Sequence, residues 1–109
     1  ECESKERYDL SKLDTSKITD MSNLFQCSLF NGDISNWNTS NVTNTRSMFY
    51  LAKSFNQPLD KWNLSHVLNM EHMFNFASNF NQALNNWDVS NVKYMSNMFR
   101  SATNFNQAI

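Results

Sequence analysis

The sequence predicts an α/β repeat solenoid of about four 25-residue units, each with a short parallel β-strand and a short helix. Three observations carry this expectation. Trp37, Trp62 and Trp87 recur with a period of 25, and so do the Phe-Asn pairs at Phe30-Asn31, Phe55-Asn56, Phe80-Asn81 and Phe105-Asn106. The second half of each unit has helical spacing, and the first half reads as extended chain. Self-similarity at a fixed period is the mark of stacked architectures, in which each unit buries its apolar face only against its neighbours.

The helix is expected from Met70, Met73, Phe74 and Ala77, which fall at i, i+3, i+4 and i+7, and from Met95, Met98, Phe99 and Ala102, which repeat the pattern. Asp20, Asn44 and Asn69 precede the first apolar position and suit an N-cap. Such a helix spans about two to three turns and could not stand alone in water. The strand is expected from Leu84, Trp87, Val89 and Val92, with polar residues between. Equivalent strands would stack at about 4.8 Å. Each apolar ladder would then form a continuous core, and the Asn after each Phe would bond to the neighbouring turn. An irregular β-solenoid is the structural alternative.

The copies divide the 109-residue chain into one domain. Residues 1–9 form a charged N-terminal cap and 10–33 a degenerate first repeat. Residues 34–58, 59–83 and 84–108 are regular repeats, and 109 opens an unfinished fifth. The first copy has Leu13 in the tryptophan slot and is one residue short between Phe25 and Phe30. No capping segment follows FNQAI, so Phe105 and Ile109 are expected to leave an apolar, self-associating end.

Composition excludes several function classes. The net charge is −1 and charged residues make up only 17%, so the chain lacks the basic face that phosphate contacts need. No apolar run is long enough for a membrane span, and the opening ECESKERYD is not a signal peptide. Aromatics at 14% argue against disorder. With one glycine, Gly32, no glycine-rich phosphate loop or nucleophile elbow can form. Turns that need positive φ would have to be filled by Asn.

The units WNTSNVTNTRSMFYLAKSFNQ, WNLSHVLNMEHMFNFASNFNQ and WDVSNVKYMSNMFRSATNFNQ resemble the 25-residue repeats of a bacterial family. It is described as the BspA-family leucine-rich-repeat surface proteins, or as a mycoplasma-type lipoprotein repeat of unknown function. The resemblance runs from Asp9 to Ile109. It implies a leucine-rich-repeat-like solenoid, secreted or at the cell surface, that works by contact with other molecules. No catalytic residues come with it. The pattern L-x-x-L-x-L-x-x-N of classical leucine-rich repeats does not occur.

The residues themselves offer few sites. Cys27, counted back from the following Phe, takes the slot of Ala52, Ala77 and Ala102 and should be buried in the first helix. If the protein is exported, a Cys2–Cys27 disulfide would staple the cap to the first repeat; a buried free thiol or a lipidated Cys2 are the alternatives. His66 and His72 are six apart, do not share a helical face, and read as solvated surface. No spacing suggests zinc or another metal, no cofactor is implied, and scattered carboxylates give no pair for acid/base work, so no enzyme is expected. The Met stripe (Met21, Leu24, Met48, Met70, Met73, Met95, Met98) reads as core. The sequons at 38–40, 41–43 and 63–65 are by-products of an Asn/Ser-rich repeat.

A partner would be read where the copies differ. Between the apolar posts these positions are Ser35-Asn36, Asp60-Lys61 and Asn85-Asn86; on the helix they are Arg46-Ser47, Glu71-His72 and Ser96-Asn97. Two functions follow. One is an extracellular or surface module that binds a protein or glycan, and the other a structural spacer or self-stacking array. Thr45, where other copies have Met, should be a shallow dent that methionine would fill with a gain of about 0.5–1.5 kcal/mol.

Overall fold

The computed structural model describes residues 8–107. Among these there is no helix and no sheet, only three isolated parallel bridges at the junctions between copies: Asp20↔Asn44, Asn44↔Asn69 and Asn69↔Tyr94. The α/β solenoid is therefore overturned, in its leucine-rich-repeat-like form too. The irregular β-solenoid fails with it for want of a sheet. The chain instead forms a compact body of 32 × 30 × 23 Å in which turns lie on turns.

The segment expected to be helical is a ribbon of overlapping turns whose amides alternate in destination. In the second copy, Thr45, Ser47, Phe49 and Leu51 donate to carbonyls of the third, at Asn69, Glu71, Met73 and Asn75, over 2.9 Å each. The amides between them, at Met48, Tyr50 and Ala52, close turns within the copy onto Thr45, Ser47 and Phe49. The third copy repeats the scheme toward the fourth through Met70, His72, Phe74 and Phe76.

The reason for this preference lies in the count of orphan groups. A helix leaves its first four N–H and last four C=O groups without intrahelical partners. An eight-residue helix would thus leave about half its backbone unpaired, whereas the ribbon bonds both within the copy and across copies. The residues at i, i+3, i+4 and i+7 still share a side: Met70, Met73, Phe74 and Ala77 are all fully buried. The apolar pattern named the buried face correctly but not the backbone that presents it.

The ribbon requires positive φ twice per copy, at Asn23 and Cys27, Ser47 and Leu51, His72 and Phe76, and Asn97 and Ser101. In the turns 45–48 and 49–52, and in their equivalents in the first and third copies, this is the third of four residues, the position where a type II turn needs it; in the turn between them, 47–50, it is the first. Only two of these eight residues are Asn, and Gly32 is not among them, so the expectation that Asn fills the glycine role holds for a minority. Each other side chain in this region costs about 1–2 kcal/mol, which the inter-copy bonds and the packing must offset.

The expected strand is likewise a series of turns. Trp87 N–H donates to Leu84 O and Val92 N–H to Val89 O, and Trp62–Leu59 and Val67–Leu64 match them. The apolar spacing of three, two and three suits this better than alternation at period two. Asx turns set the corners. Asp14, Asp33, Asn38, Asn63 and Asp88 each accept, on Oδ1, the N–H and Oγ–H of a serine two residues on. Asn38 and Asn63 of the sequons are thereby explained as corner residues.

The core is aromatic. Phe25, Phe49, Phe74 and Phe99 form one column, with centroids 5.3–5.6 Å apart. Phe30, Phe55, Phe80 and Phe105 form a second at 6.0–6.4 Å, and within each copy the two columns stack at 4.2–4.7 Å. Trp37, Trp62 and Trp87 donate Nε1–H to the carbonyls of Leu10, Ile34 and Leu59 in the preceding copy. Of the Met stripe, Met21, Met48, Met70, Met73 and Met98 are buried, while Leu24 and Met95 are exposed.

The asparagine ladder forms as expected. The Oδ1 atoms of Asn31, Asn56 and Asn81 accept the N–H of Asn56, Asn81 and Asn106 and the Nε2–H of Gln57, Gln82 and Gln107. The short first copy is spliced in at one place. Where Phe55, Phe80 and Phe105 donate their N–H to an alanine carbonyl, Phe30 donates to Ser28 Oγ at 3.0 Å. Ser28, fully buried, thus takes the alanine slot. Cys27 shares the positive-φ slot with Leu51, and its N–H donates to Tyr50 O. Its assignment to a buried helical alanine slot is therefore corrected.

Candidate functional site

The ribbons turn one edge outward, and the residues on it differ from copy to copy. Two positions after the shared Phe stand Cys27, Leu51, Phe76 and Ser101; one position after it stand Gln26, Tyr50, Asn75 and Arg100. Here a cavity of about 300 Å³ opens, lined by Arg46, Ser47, Tyr50, His72, Asn75, Phe76 and Arg100. Three successive copies contribute to it. Because inter-copy bonds fix the spacing of the ribbons, the side chains on this edge are held in register by backbone.

The floor of the cavity is polar. Asn75 is buried, with 4% of its surface exposed. Its Nδ2 donates to His72 Nδ1 at 2.9 Å, while its Oδ1 is buried without a hydrogen-bond partner. Leaving a buried acceptor unpaired costs about 1–3 kcal/mol. The wall is aromatic. The Tyr50 ring meets both the His72 ring and the Phe76 ring edge-on, at 6.4 Å in each case. Arg46 and Arg100 are exposed. Among the described residues neither guanidinium has a hydrogen-bond or ion-pair partner; Glu71, the nearby carboxylate of the ribbon, accepts the hydroxyl of Ser96 instead.

The other positions fall elsewhere. Ser35, Asn36, Asp60, Lys61, Asn85 and Asn86 are exposed or half-buried and line no part of this cavity. Ser35 is committed to Asp33 through both its N–H and its hydroxyl. His66 does what Asn41 and Asn91 do: its Nδ1 bonds to Ser40 O, as their amides bond to Ser16 O and Ser65 O. His72, expected as plain surface, is half-buried in the cavity. Cys27 is disulfide-bonded; Cys2, its expected partner, lies outside the described residues. Phe105 is half-buried against Phe80 and Phe99, and Ile109 also lies outside. Among the described residues no group of acidic, histidine or cysteine side chains could hold a metal ion, and no helix is long and apolar enough to cross a membrane.

Sequence reasoning singled out Arg46, Ser47 and His72 as variable positions and missed Tyr50, Asn75, Phe76 and Arg100. The signal was present, since these slots also differ between copies. On a helix, too, Tyr50 lies four residues after Arg46, and Asn75 and Phe76 three and four after His72, on one face.

Compared with known families, residues 1–109 match the model of a family described as "Mycoplasma protein of unknown function, DUF285". The chain belongs to this family. No curated protein and no solved structure matches it. The family carries no assigned activity, so function has to be argued from the cavity itself.

Proposed function

We propose that the protein is a non-catalytic binding module of an extracellular or cell-surface setting, and that its partner is a protein or glycan docking on the ribbon edge. The observation that carries this reading is a pair of arginines, Arg46 and Arg100, without a partner among the described residues, flanking a cavity built from slots that differ between copies. A face kept only for stacking would repeat its residues as the Phe columns do. Conserved packing and varied, convergent polar groups are what separate scaffold from site. The disulfide at Cys27 supports an oxidising compartment, and the resemblance to BspA-type surface repeats points the same way. The test is an array of defined glycans and purified extracellular proteins probed with labelled protein. Specific binding lost on blocking the ribbon edge is the expected result; an array silent across all probes would end the reading.

A second reading is a self-stacking array. It is favoured by one contrast: Met95 is 38% exposed where Met21 and Met70 of the same slot are 2% and 0%. Light scattering against concentration separates the two, since stacking requires a mass that rises with concentration.

A further inference from the structure

We propose that the protein stacks head to tail: the ribbon of the fourth copy in one molecule bonds to the ribbon of the first copy in a second molecule. The proposal rests on the self-stacking reading and gives it a direction and an interface.

The side chains of a ribbon are covered from one side or the other. Thr45, in the slot of Met21, touches Met73 of the following copy, Oγ1 to Sδ at 3.3 Å. Met73 is in the slot of Leu24, so this second slot is covered by the copy before. Between copies the two sets bury one another, and each end lacks one cover. At the head, Leu24 is 36% and Ile18 37% exposed where Met48 and Val42 are 0%, yet Met21 stays buried. At the tail the pattern inverts. Met95, in the slot of Met21, is 38% exposed, while Met98, in the slot of Leu24, is 6% exposed. Each end therefore shows the apolar set that the other end would cover.

The backbone has the same polarity. Within residues 45–51 and their equivalents, amides donate to carbonyls of the following copy. The tail ends on the N–H groups of Met95, Asn97, Phe99 and Ser101, and the head on the carbonyls of Asp20, Ser22, Leu24 and Gln26. None of these groups has a partner among the described residues. In the register of the junctions inside the molecule they pair in that order, and Met95 covers Leu24 as Thr45 covers Met73. Tail on tail would set N–H against N–H, and head on head C=O against C=O; neither can bond. An edge of unpaired backbone groups is a template for another chain, and here only the opposite end of a second copy completes it. The junction is weaker than an internal one, because Leu13 has no indole N–H to give Leu84 O as Trp87 gives Leu59 O. Stacking across it depends on protein concentration.

Light scattering and amide exchange on the intact chain, followed against concentration, test this. The mass should climb past that of a dimer, because a head-to-tail contact that closes no ring has no end point. Exchange at Met95, Asn97, Phe99 and Ser101 should slow as it climbs. Met95→Lys spoils the tail and Leu24→Lys the head, both at exposed positions. Each variant should stay monomeric with its melting temperature unchanged. Mixed, they should form a dimer and nothing larger, since one keeps its head and the other its tail. Ile18→Lys should act as Leu24→Lys does, which guards against a local misfold. A Leu24→Lys protein that dimerises alone would mean tail-on-tail pairing and overturn the proposal. A mixture that stays monomeric while the unaltered protein assembles would overturn it too, and the stacking reading would then stand on another face. If the unaltered protein is a monomer at every concentration, both fall and the binding-module reading is untouched.

Discussion

The two edges of the same ribbon make an instructive comparison. Inward, the copies are nearly identical: Phe49, Phe74 and Phe99 stack ring on ring. On the cavity side, the residues next to those phenylalanines are Tyr50, half-buried, Asn75, buried, and Arg100, exposed. One backbone with one set of inter-copy bonds presents both. The difference teaches that repetition here is enforced by self-contact. A side chain that touches its own equivalents above and below must match them, and one facing away is free to vary and to acquire chemistry.

Substitutions on the two edges should sharpen that contrast. Phe74→Ala removes a fully buried ring that contacts Phe49, Phe80, Trp87 and Phe99. It should cost about 3–5 kcal/mol by denaturant unfolding, while truncation of Arg46 costs next to nothing. A loss below 1 kcal/mol would mean that the columns are not the core. Reduction of the Cys27 disulfide comes next. If the bond closes the expected loop to Cys2, reduction should lower stability by about 3 kcal/mol in the chain-entropy model. Two thiols that alkylate in the native, unreduced protein would exclude that pairing.

Thr45→Met tests the inward edge where it departs from pattern. The sequence suggested a dent to be filled. In the structure Thr45 is fully buried, with Oγ1 at 3.3 Å from both Asn69 O and Met73 Sδ. Met73 already occupies the adjacent space, so the sign reverses. Methionine should overpack the site and destabilise by about 1–3 kcal/mol; a clear gain would mean that the slot holds unused room.

Ser101→Gly acts on the exposed turn where a side chain sits at φ 57°. Relief of that strain, less the added freedom of the unfolded glycine, should raise stability by about 0.5–1 kcal/mol. No change would show that the strain is absent. The smallest effect is on pH. Asp9, Asp14, Asp33 and Asp88 are held below the ordinary carboxylate value of 3.8 by hydrogen bonds from the hydroxyl, then the N–H, of the serine two residues on. A depressed folded-state pKa contributes stability that is fully present above 3.8 and lost as pH falls through the depressed value. Stability should therefore decline on acidification below about pH 4.5. The double variant Asp33→Asn, Asp88→Asn should flatten that slope, because Asn38 and Asn63 already make the same turn without charge; an unchanged slope would locate the acid response elsewhere.

The period and most of the buried apolar side chains were legible in the sequence, because burial depends on where apolar residues recur. The backbone conformation was not. Spacing of i, i+3, i+4 and i+7 serves a short helix and a ribbon of turns alike, and only the destination of the amides separates them. Those destinations lie 23 or 24 residues away and leave no local trace. Leu51 and Phe76 at positive φ are the opposite of what turn propensity suggests, since tertiary bonding overrides it. The cavity was half legible. Arg46 and His72 stood out as variable, and Tyr50, Asn75 and Phe76 lie three or four residues after them, on the same face of a helix as well; that three copies bring these slots around one cavity was not legible.

The splice at Ser28 has a consequence for how such a chain can be lengthened or edited. The first copy lost a residue between Phe25 and Phe30, yet its rings still stack at 4.7 Å against 4.2–4.3 Å in the full-length copies. The loss falls where one side-chain oxygen could stand in for a backbone carbonyl, just beyond the last cross-bonded amide of the ribbon at Cys27. That corner is a natural seam. A foreign peptide grafted between Ser54 and Phe55, or between Asn79 and Phe80, would be carried as cargo. The same graft within residues 45–51 would break the backbone rungs that hold neighbouring copies together.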